Sequence, residues 1–407
     1  MPASTPSAAT ASPRRIVLTC NFSPWSRYSG GGQRSTHNLA LALSERGHEV
    51  TVVFTKPPWE KVESPSQLPY RLRWAAYPHH RSAPGAPLRP FSNVSVACLV
   101  HAELRRHAQS AQALPMVVHA NGGDESVGVA TLRARHNFRF IVTPRFPTFP
   151  SYLLNPATQW ARNLVNQAWL WTVDSRYALV GQACAHADRC SPPSYYGGDL
   201  LRQAFGIPEE RIRPVHNGVP REFLDYHWQG HQPNQRALFF GRFAHDKGID
   251  LLIQALAQLG EAAPPIDLVG RGPYLAEAKT LVGSLGLDHK VRFLPWADHH
   301  RLGAMLAQAS MAILPSRQEN FSLAVLAALA VGTPLVSTDV GGTREVLRDK
   351  ENGMLCPSND ADALAQAMRH LQDNPEQAAH MGRRASQDVR QGFTWQAAAA
   401  AFEKLYV

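Results

Sequence analysis

The sequence is poor in cysteine and contains no long hydrophobic segment. Its 407 residues include five cysteines without paired metal-ligand spacing, Cys20, Cys98, Cys184, Cys190 and Cys356. An odd number is more typical of free thiols in a reducing compartment than of a disulfide framework. No segment approaches the roughly 18 uncharged apolar residues of a membrane-spanning helix. The first 13 residues also lack the basic start and apolar stretch of a signal peptide. We therefore predict a cytoplasmic protein.

Acidic residues are scarce in the first half of the chain. Residues 1–220 contain 23 Lys and Arg against 12 Asp and Glu, whereas residues 221–407 contain 18 against 20. A basic half is typical of proteins that meet nucleic acid, an anionic membrane surface or an acidic substrate. The dispersed basic residues and the lack of a recognisable nucleic-acid module argue against nucleic acid. A peripheral contact with the anionic inner membrane and a merely solvated basic surface stay open as alternatives.

Strand and helix patterns alternate along the first half. A strand at residues 16–20 is followed by a glycine loop at 30–32, a helix from about 35 to 46 and a strand at 49–55, which together predict a βαβ unit. A helix is predicted at 93–112 and strands at 116–120, 138–143 and 171–174, whereas residues 57–92 give no clear pattern. The first half is therefore predicted to be a doubly wound α/β domain.

The same alternation continues in the second half. Strands are predicted at residues 237–243, 266–269, 291–294, 311–314, 335–338 and 353–356, and helices at 249–259, 274–285, 300–309, 321–331, 360–371, 375–390 and 394–406. A length of 407 residues with 44% apolar residues is enough for two cores. We place the boundary between the two domains near residues 213–220.

The most informative segment runs from residue 314 to residue 347. A buried strand ends at Leu314, a loop covers residues 315–320, and an alanine-rich helix follows and ends at Gly332. Free N–H groups at the start of such a helix, at the carboxyl end of a parallel sheet, suit a phosphate. The sequence therefore predicts a phosphate-binding site here.

This segment resembles the signature of the retaining family-4 glycosyltransferases, two-domain nucleotide-sugar enzymes of the GT-B fold. The family pattern is Glu-x-Phe-x-Leu, a second Glu eight residues after the first, then Gly-x-Pro and Thr-x-x-Gly-Gly. The matching residues are Glu319, Phe321, Leu323, Gly332, Pro334, Thr338, Gly341 and Gly342. The chain departs from the pattern at the second Glu, where it has Ala327. The family Glu binds the ribose hydroxyls, and a methyl group cannot accept a hydrogen bond.

The resemblance implies a GT-B architecture of two Rossmann-like doubly wound domains that face a central cleft. We expect a disordered tail at residues 1–14, an acceptor-side domain at 15–215, a nucleotide-sugar domain at 216–390 and a C-terminal helical segment at 391–407. In the family this last helix commonly crosses back to the first domain.

Arg242 and Lys247 are the expected ligands of the donor phosphates. They lie about five residues apart beside glycines, between a strand and a helix, and this combination suits a diphosphate. In the family the matching residues stabilise the leaving nucleoside diphosphate. Glu319 lies just before the helix start, and we expect its carboxylate to accept hydrogen bonds from hydroxyls of the donor sugar. The alternatives are two solvated charges and a carboxylate that caps the helix.

Further residues are expected to line the donor site or the cleft. The predicted donor-binding residues are Gly30, Gly31, Gly32, Gly241, Arg271, Phe293, Asn320, Phe321, Ser322 and Leu323. The weaker candidates for the acceptor side or the cleft are His119, Asn121 and Arg145. Arg145 occupies the position of a family His, and for His119 we favour a packed structural role. Backbone recognition of the base leaves uridine, guanosine and adenosine diphosphate as alternatives.

We predict no metal and no cofactor beyond the nucleotide-sugar substrate. Asp360 and Asp362 superficially form an Asp-x-Asp metal motif, but they open a late helix after Ser358 and Asn359. Such residues are typical helix caps.

The expected function is transfer of a sugar from a nucleoside-diphosphate sugar to a glycan or a lipid-linked acceptor, with retention, in the synthesis of a cell-surface polysaccharide or glycoconjugate. The expected enzyme class is a hexosyl or related glycosyltransferase. Two alternatives remain: a nucleotide-sugar epimerase or sugar phosphorylase on the same fold, and a catalytically degenerate glycan-binding or scaffold protein.

Overall fold

The computed structural model describes residues 12–26, 29–77, 89–110, 114–123, 125–145, 175–232 and 234–407. Most of the predicted tail and the strand predicted at 171–174 lie outside these residues. The chain divides into two compact units. The first unit comprises Met1–Pro193, Gly197–Val215 and Ala398–Val407, and the second comprises Ser194–Tyr196 and His216–Ala397.

The first unit is built on a six-stranded parallel sheet in the order β3-β2-β1-β4-β5-β6. The strands are β1 (Arg15–Cys20), β2 (Glu49–Lys56), β3 (Arg71–Ala76), β4 (Met116–Ala120), β5 (Arg139–Val142) and β6 (Arg189–Cys190). The helices are α1 (Gly31–Glu45), α2 (Arg89–Ala108), α3 (Val127–Thr131), α4 (Ser175–His186) and α5 (Tyr195–Phe205). The strand order reverses between β1 and β4, which is where doubly wound sheets bind ligands.

The second unit repeats this plan with the order β12-β11-β10-β7-β8-β9. Its strands are β7 (Ala237–Arg242), β8 (Ile266–Arg271), β9 (Val291–Leu294), β10 (Ala312–Leu314), β11 (Leu335–Thr338) and β12 (Met354–Cys356). Its helices are α6 (Ile249–Leu259), α7 (Leu275–Ser284), α8 (His299–Gln308), α9 (Leu323–Val331), α10 (Ala361–Asp373) and α11 (Pro375–Gly392), and α12 (Trp395–Glu403) follows. The order reverses between β7 and β10.

Apolar residues cover both faces of the second sheet because side chains alternate along each strand. Phe239 of β7 packs in one layer, with Leu252 and Leu256 of α6. Leu238 and Phe240, its neighbours in sequence, pack in the other layer with residues of α8 and α9. Strands buried on both faces read as continuous apolar runs, which is why the sequence pattern identified them.

The α/β doubly wound prediction is confirmed, with corrections in the first unit. Helix α1 begins at Gly31 rather than near residue 35, so two of the three loop glycines belong to its first turn. Strand β3 was missed because it is an edge strand with charged, partly exposed residues such as Arg71 and Arg73. No helix in the described part of the chain is long and apolar enough to span a bilayer.

Candidate active site

The predicted phosphate-binding residues of the second unit meet at the carboxyl ends of β7 and β10. Arg242 is the last residue of β7, and Lys247 follows in a short 3-10 turn before α6. Glu319 lies in the loop between β10 and α9. This edge is the reversal point of the sheet, the usual position of a nucleotide in doubly wound folds.

Lys247 and Glu319 form the central ion pair of this edge. Lys247 Nζ lies 2.7 Å from Oε1 of Glu319, and the two side chains are 22% and 15% exposed. The Ser316 hydroxyl donates to the same carboxylate oxygen at 3.0 Å. Asp246 Oδ2 lies 3.8 Å from Lys247 Nζ. The ammonium is therefore held at a fixed place, and its three donors allow a further acceptor to bind.

Arg242 is the more exposed cation, with 59% of its side chain accessible. Its Nη2 donates to both carboxylate oxygens of Asp246, at 3.0 and 2.8 Å. In the parallel register of the sheet its partner is Arg271, the last residue of β8. The guanidinium of Arg271 lies 5.6 Å from the ring centroid of Trp296, which is 45% exposed. Two cations, at the ends of β7 and β8, and an aromatic ring therefore lie at the carboxyl edge of the second sheet.

Arg317 anchors the loop that carries Glu319. Its guanidinium forms two 2.7 Å hydrogen bonds with the carboxylate of Asp250 on α6. It also donates to the His245 carbonyl at 2.8 Å and to Asn359 Oδ1 at 2.6 Å. Burial opposes ionisation of Asp250, but hydrogen bonds from Arg317 outweigh it, so the pKa of this carboxyl is lowered. The loop is therefore tied to the Lys247 turn by contacts that sequence spacing does not reveal.

Two glycines allow the backbone to approach this loop closely. Gly248 has a φ of +66°, and a Cβ there would lie 1.9 Å from the Pro315 carbonyl oxygen. Gly341 has a φ of +56°, and its Cβ would lie 1.7 Å from the Glu319 carbonyl oxygen. Both contacts are too short for any side chain. The Gly-Gly motif thus has a physical role, because it positions the Glu319 loop.

The side chains that follow Glu319 are packed into the unit. Asn320, Phe321 and Ser322 are only 6–8% exposed. Phe321 stacks on His216 at 5.0 Å between centroids, and the Asn320 side chain accepts from the Ser194 hydroxyl. Ser322 Oγ caps α9 by accepting from the Val325 amide at 3.4 Å. These side chains already have contacts within the unit, so the backbone groups at the start of α9 are the more accessible part of their donor-binding prediction.

Leu323, Gly241 and Phe293 also have structural contacts. Leu323 packs against the apolar cluster around α9. Gly241 pairs with Gly270 in the β7–β8 register, and a Cβ on Gly270 would lie 2.0 Å from the Gly241 carbonyl oxygen. The Phe293 ring lies 6.2 Å from that of Phe243. The prediction for Phe293 therefore rests on its backbone alone.

Ala327, at the position of the second family Glu, is 2% exposed within the apolar cluster of α9. Asp360, two residues before Asp362, caps α10 by accepting from the Ala363 amide at 2.9 Å. Within the described ranges, no group of three or more His, Cys, Asp or Glu residues is placed to hold a metal ion.

In the first unit, Gly30 precedes α1 while Gly31 and Gly32 form its first turn. The Cδ atom of Arg145 lies 3.1 Å from the Cβ position of Gly32, and Arg145 Nε donates to Asn121 Oδ1 at 2.5 Å. These candidates therefore meet at the carboxyl ends of β1, β4 and β5. His119 does not line an open surface.

His119 is fully buried and hydrogen-bonded at both ring nitrogens. Nδ1 is 2.8 Å from the Tyr406 hydroxyl and Nε2 is 2.8 Å from the Thr143 hydroxyl. Burial, with the charge of Arg145, lowers the pKa of His119 to about 3. Its assignment to a cleft is therefore wrong, and the packed structural role that we favoured describes it.

Sequence reasoning missed Ser316, Arg317 and Trp296. Arg317 and Ser316 lie within the motif segment, and their proximity to Glu319 was the available signal. The partners of Arg317 are 42 to 72 residues distant, so spacing could not identify them.

Comparison with known proteins agrees with this geometry. The family model of Glycosyltransferase Family 4 matches residues 29–223, and that of Glycosyl transferases group 1 matches residues 228–388. The chain is 27% identical over 399 residues to a glycogen synthase of Mycobacterium tuberculosis, and the match covers 93% of this chain and 91% of that protein.

Solved structures share the fold. Sucrose-phosphate synthase from Thermosynechococcus elongatus superposes with a TM-score of 0.73 at 23% identity, over 97% of this chain and 98% of that one. The Anabaena protein HepE, solved in complex with UDP-glucose, gives a TM-score of 0.69 at 17% identity over 96% and 99% of the two chains. The chain therefore belongs to the family-4 type of glycosyltransferases and has the GT-B fold.

Proposed function

We propose that the second unit binds a nucleoside-diphosphate sugar at the carboxyl ends of β7 and β10 and supplies its sugar to a glycan or lipid-linked acceptor. The observation that carries this proposal is the Lys247–Glu319 pair, 2.7 Å apart beside the exposed Arg242. A cation for the diphosphate and a carboxylate for sugar hydroxyls are thereby placed side by side. The motif glycines keep them in position.

The chemical role of this edge is electrostatic. Breakage of the bond between the anomeric carbon and the phosphate oxygen leaves negative charge on the nucleoside diphosphate. Arg242 and Lys247 would stabilise that charge, assisted by backbone N–H groups at the start of α9. Removal of one such donor typically lowers kcat by about 10²–10³-fold. Glu319 would accept hydrogen bonds from the sugar and hold it for attack.

Uridine diphosphate is the nucleotide to test first, since HepE was solved with UDP-glucose. We further propose retention of the anomeric configuration, which the family resemblance implies, and no requirement for a metal. A cytoplasmic site of action in cell-surface glycan synthesis, with the basic first half near the anionic inner membrane, fits such an acceptor.

Binding of uridine, guanosine and adenosine diphosphates, measured by calorimetry, tests the donor site. We expect one nucleotide to bind selectively and Arg242→Ala to weaken it about tenfold or more, because a charge-assisted hydrogen bond is lost. Arg301→Ala is the matched control, since Arg301 is exposed on α8 in the same unit. Equal affinity in the wild type and in Arg242→Ala would refute the assignment.

Product analysis tests the reaction itself. Incubation of wild-type enzyme with a UDP-sugar and a glycan acceptor should release UDP and form a glycoside whose anomeric protons keep the donor configuration by NMR. An altered nucleotide sugar formed without acceptor would identify an epimerase. Release of a sugar phosphate from a glycan with inorganic phosphate would identify a phosphorylase.

A further inference from the structure

A second cluster of hydrogen-bond donors lies in the first unit, at the reversal point between β1 and β4. Asn121 follows β4, and its amide N–H donates to the Thr19 carbonyl of β1 at 2.8 Å. Helix α1 begins beside it, and its first-turn N–H groups have no acceptor within the helix. Arg145 joins the two, since it contacts Asn121 and approaches Gly32.

One polar atom of the Asn121 side chain has a hydrogen-bond partner and the other has none among the described residues. Arg145 Nε can only donate, so the atom it contacts at 2.5 Å must be the amide oxygen of Asn121. Nδ2 is therefore the remaining group, and it is buried with no hydrogen-bond partner among the described residues. Asn121 itself is 0% exposed. An unpaired buried amide donor costs about 1–3 kcal/mol, so this group favours an acceptor that a bound ligand supplies.

The neighbouring polar groups point to the charge of that acceptor. The Ser29 hydroxyl, directly before Gly30, is also buried without a partner among the described residues. The nearby Glu125 carboxylate is occupied, because it accepts from the Thr19 hydroxyl at 3.0 Å and the Gly123 amide at 3.1 Å. The Asn121 amide, the Ser29 hydroxyl and the N-terminus of α1 offer donors beside the positive charge of Arg145. Such a set matches an oxyanion.

We infer that this cluster binds an anionic group of the acceptor, a phosphate or a carboxylate, between Arg145, Asn121 and the first turn of α1. The inference rests on the proposed function, which places the donor diphosphate on Arg242 and Lys247 in the second unit. The positive excess of residues 1–220, with 23 basic against 12 acidic residues, would attract such an acceptor to the first unit. The acceptor class is therefore an acidic glycan or a phosphate-linked lipid rather than a neutral sugar.

Inorganic phosphate is the first probe, titrated by ³¹P NMR into full-length protein that carries Arg242→Ala and Lys247→Ala. These changes weaken the proposed donor site, so the phosphate signal reports on the first unit. Arg145→Gln should weaken phosphate binding about tenfold or more. Asn121→Asp is the second variant, because it keeps the acceptor oxygen for Arg145 but replaces the orphan donor by a repelling carboxylate. Arg135→Gln, at an exposed arginine of the same unit, is the control.

UDP binding to proteins with an intact second unit separates the two proposals. We expect Arg145→Gln and Asn121→Asp to keep wild-type UDP affinity and wild-type circular dichroism while losing phosphate binding. Equal loss of UDP and phosphate would assign the cluster to the donor diphosphate and overturn the inference. Unchanged phosphate affinity in both variants would show that no built site exists. Loss of phosphate in the variants together with no UDP binding by wild type would support the anion site and refute the donor assignment instead.

The acceptor itself provides the final arm of the test. With a UDP-sugar that the enzyme uses, a sugar phosphate and the corresponding neutral sugar are compared as acceptors. Arg145→Gln should raise KM for the phosphorylated acceptor about tenfold and leave KM for the donor unchanged. A wild-type enzyme that uses both acceptors equally would contradict the inference.

Discussion

Lys247 Nζ and Glu319 Oε1 are 2.7 Å apart although the residues are separated by 72 positions in the chain. The contact joins the turn after β7 to the loop after β10, the two strands that flank the reversal point of the second sheet. The ammonium suits a phosphate and the carboxylate suits hydroxyl groups, so the pair offers a ligand one charge of each sign. The Lys247–Glu319 ion pair also helps to hold the turn after β7 against the loop after β10.

A double-mutant cycle should show that Lys247 and Glu319 act together. We expect Lys247→Met and Glu319→Gln each to lower turnover of the donor by about 10²-fold or more. The double variant should lose less than the product of the two, because each residue positions the other. Steady-state kinetics with a UDP-sugar gives all four rates. Lys61→Met, at an exposed lysine of the first unit, is the control, and fully independent effects would contradict the coupling.

Gly341→Ala should damage the site through backbone geometry. A residue with a side chain pays about 1–2 kcal/mol in the left-handed region, and the new Cβ would also lie 1.7 Å from the Glu319 carbonyl oxygen. Forced overpacking typically adds about 1–3 kcal/mol. We therefore expect a lower Tm and a clear loss of UDP affinity, measured by scanning calorimetry and titration calorimetry.

Gly286→Ala is the matched control for this change. Gly286 has a φ of +68° in the same unit, and its Cβ position has nothing within 4 Å. It should therefore show the left-handed penalty alone, with unchanged UDP affinity. Equal effects of the two variants on UDP binding would show that Gly341 does not position the Glu319 loop.

The pattern of strands and helices in the second unit was largely predictable from its sequence, and the reason is burial. Strands such as β7 and β10 are covered on both faces, so they appear as short apolar runs bounded by turn residues. The edge strand β3 carries alternating charged residues in a proline-rich region, so the same rule failed there.

The residues of the site could be predicted from the sequence, but the contacts between them could not. The spacing of Arg242, Lys247 and Glu319 matched a family motif, and the fold brings them to one edge. Nothing in the local sequence shows that Phe321 stacks on His216 or that Arg317 binds Asp250, because these partners come from distant segments. Among the predicted donor ligands, Asn320, Phe321 and Ser322 therefore have packed side chains, which the motif did not indicate.

His119 should make the protein less stable as the pH falls below about 6.5. Its pKa is about 3 in the folded chain, against an ordinary value of 6.5. Between these values the unfolded chain binds a proton that the native chain does not, so stability decreases as the pH falls. The loss is about 2 kcal/mol between pH 6.5 and 5. Denaturant unfolding at pH 7, 6 and 5 measures it.

The variant His119→Gln isolates this contribution. It should be less stable than the wild type at pH 7, because the hydrogen bonds to Tyr406 and Thr143 are altered. Its stability should nevertheless fall less steeply with acidification. Parallel pH profiles for the two proteins would mean that His119 accepts a proton in the native state.

Ala327→Glu tests whether α9 faces the ribose of the donor. The family resemblance places a ribose-binding carboxylate here, and hydrogen bonds to a charged acceptor contribute about 1.5–3 kcal/mol, or roughly ten- to hundredfold in affinity. Ala327 is buried in an apolar cluster, so a carboxylate without a ligand should lower the Tm. We expect UDP to bind more tightly and to raise the Tm more than in the wild type. Ala328→Glu, at the equally buried next residue, should lose stability without this gain. An equal effect of UDP on the Tm of both variants would show that residue 327 does not contact the ribose, because UDP binding adds stability only through the contacts that it makes.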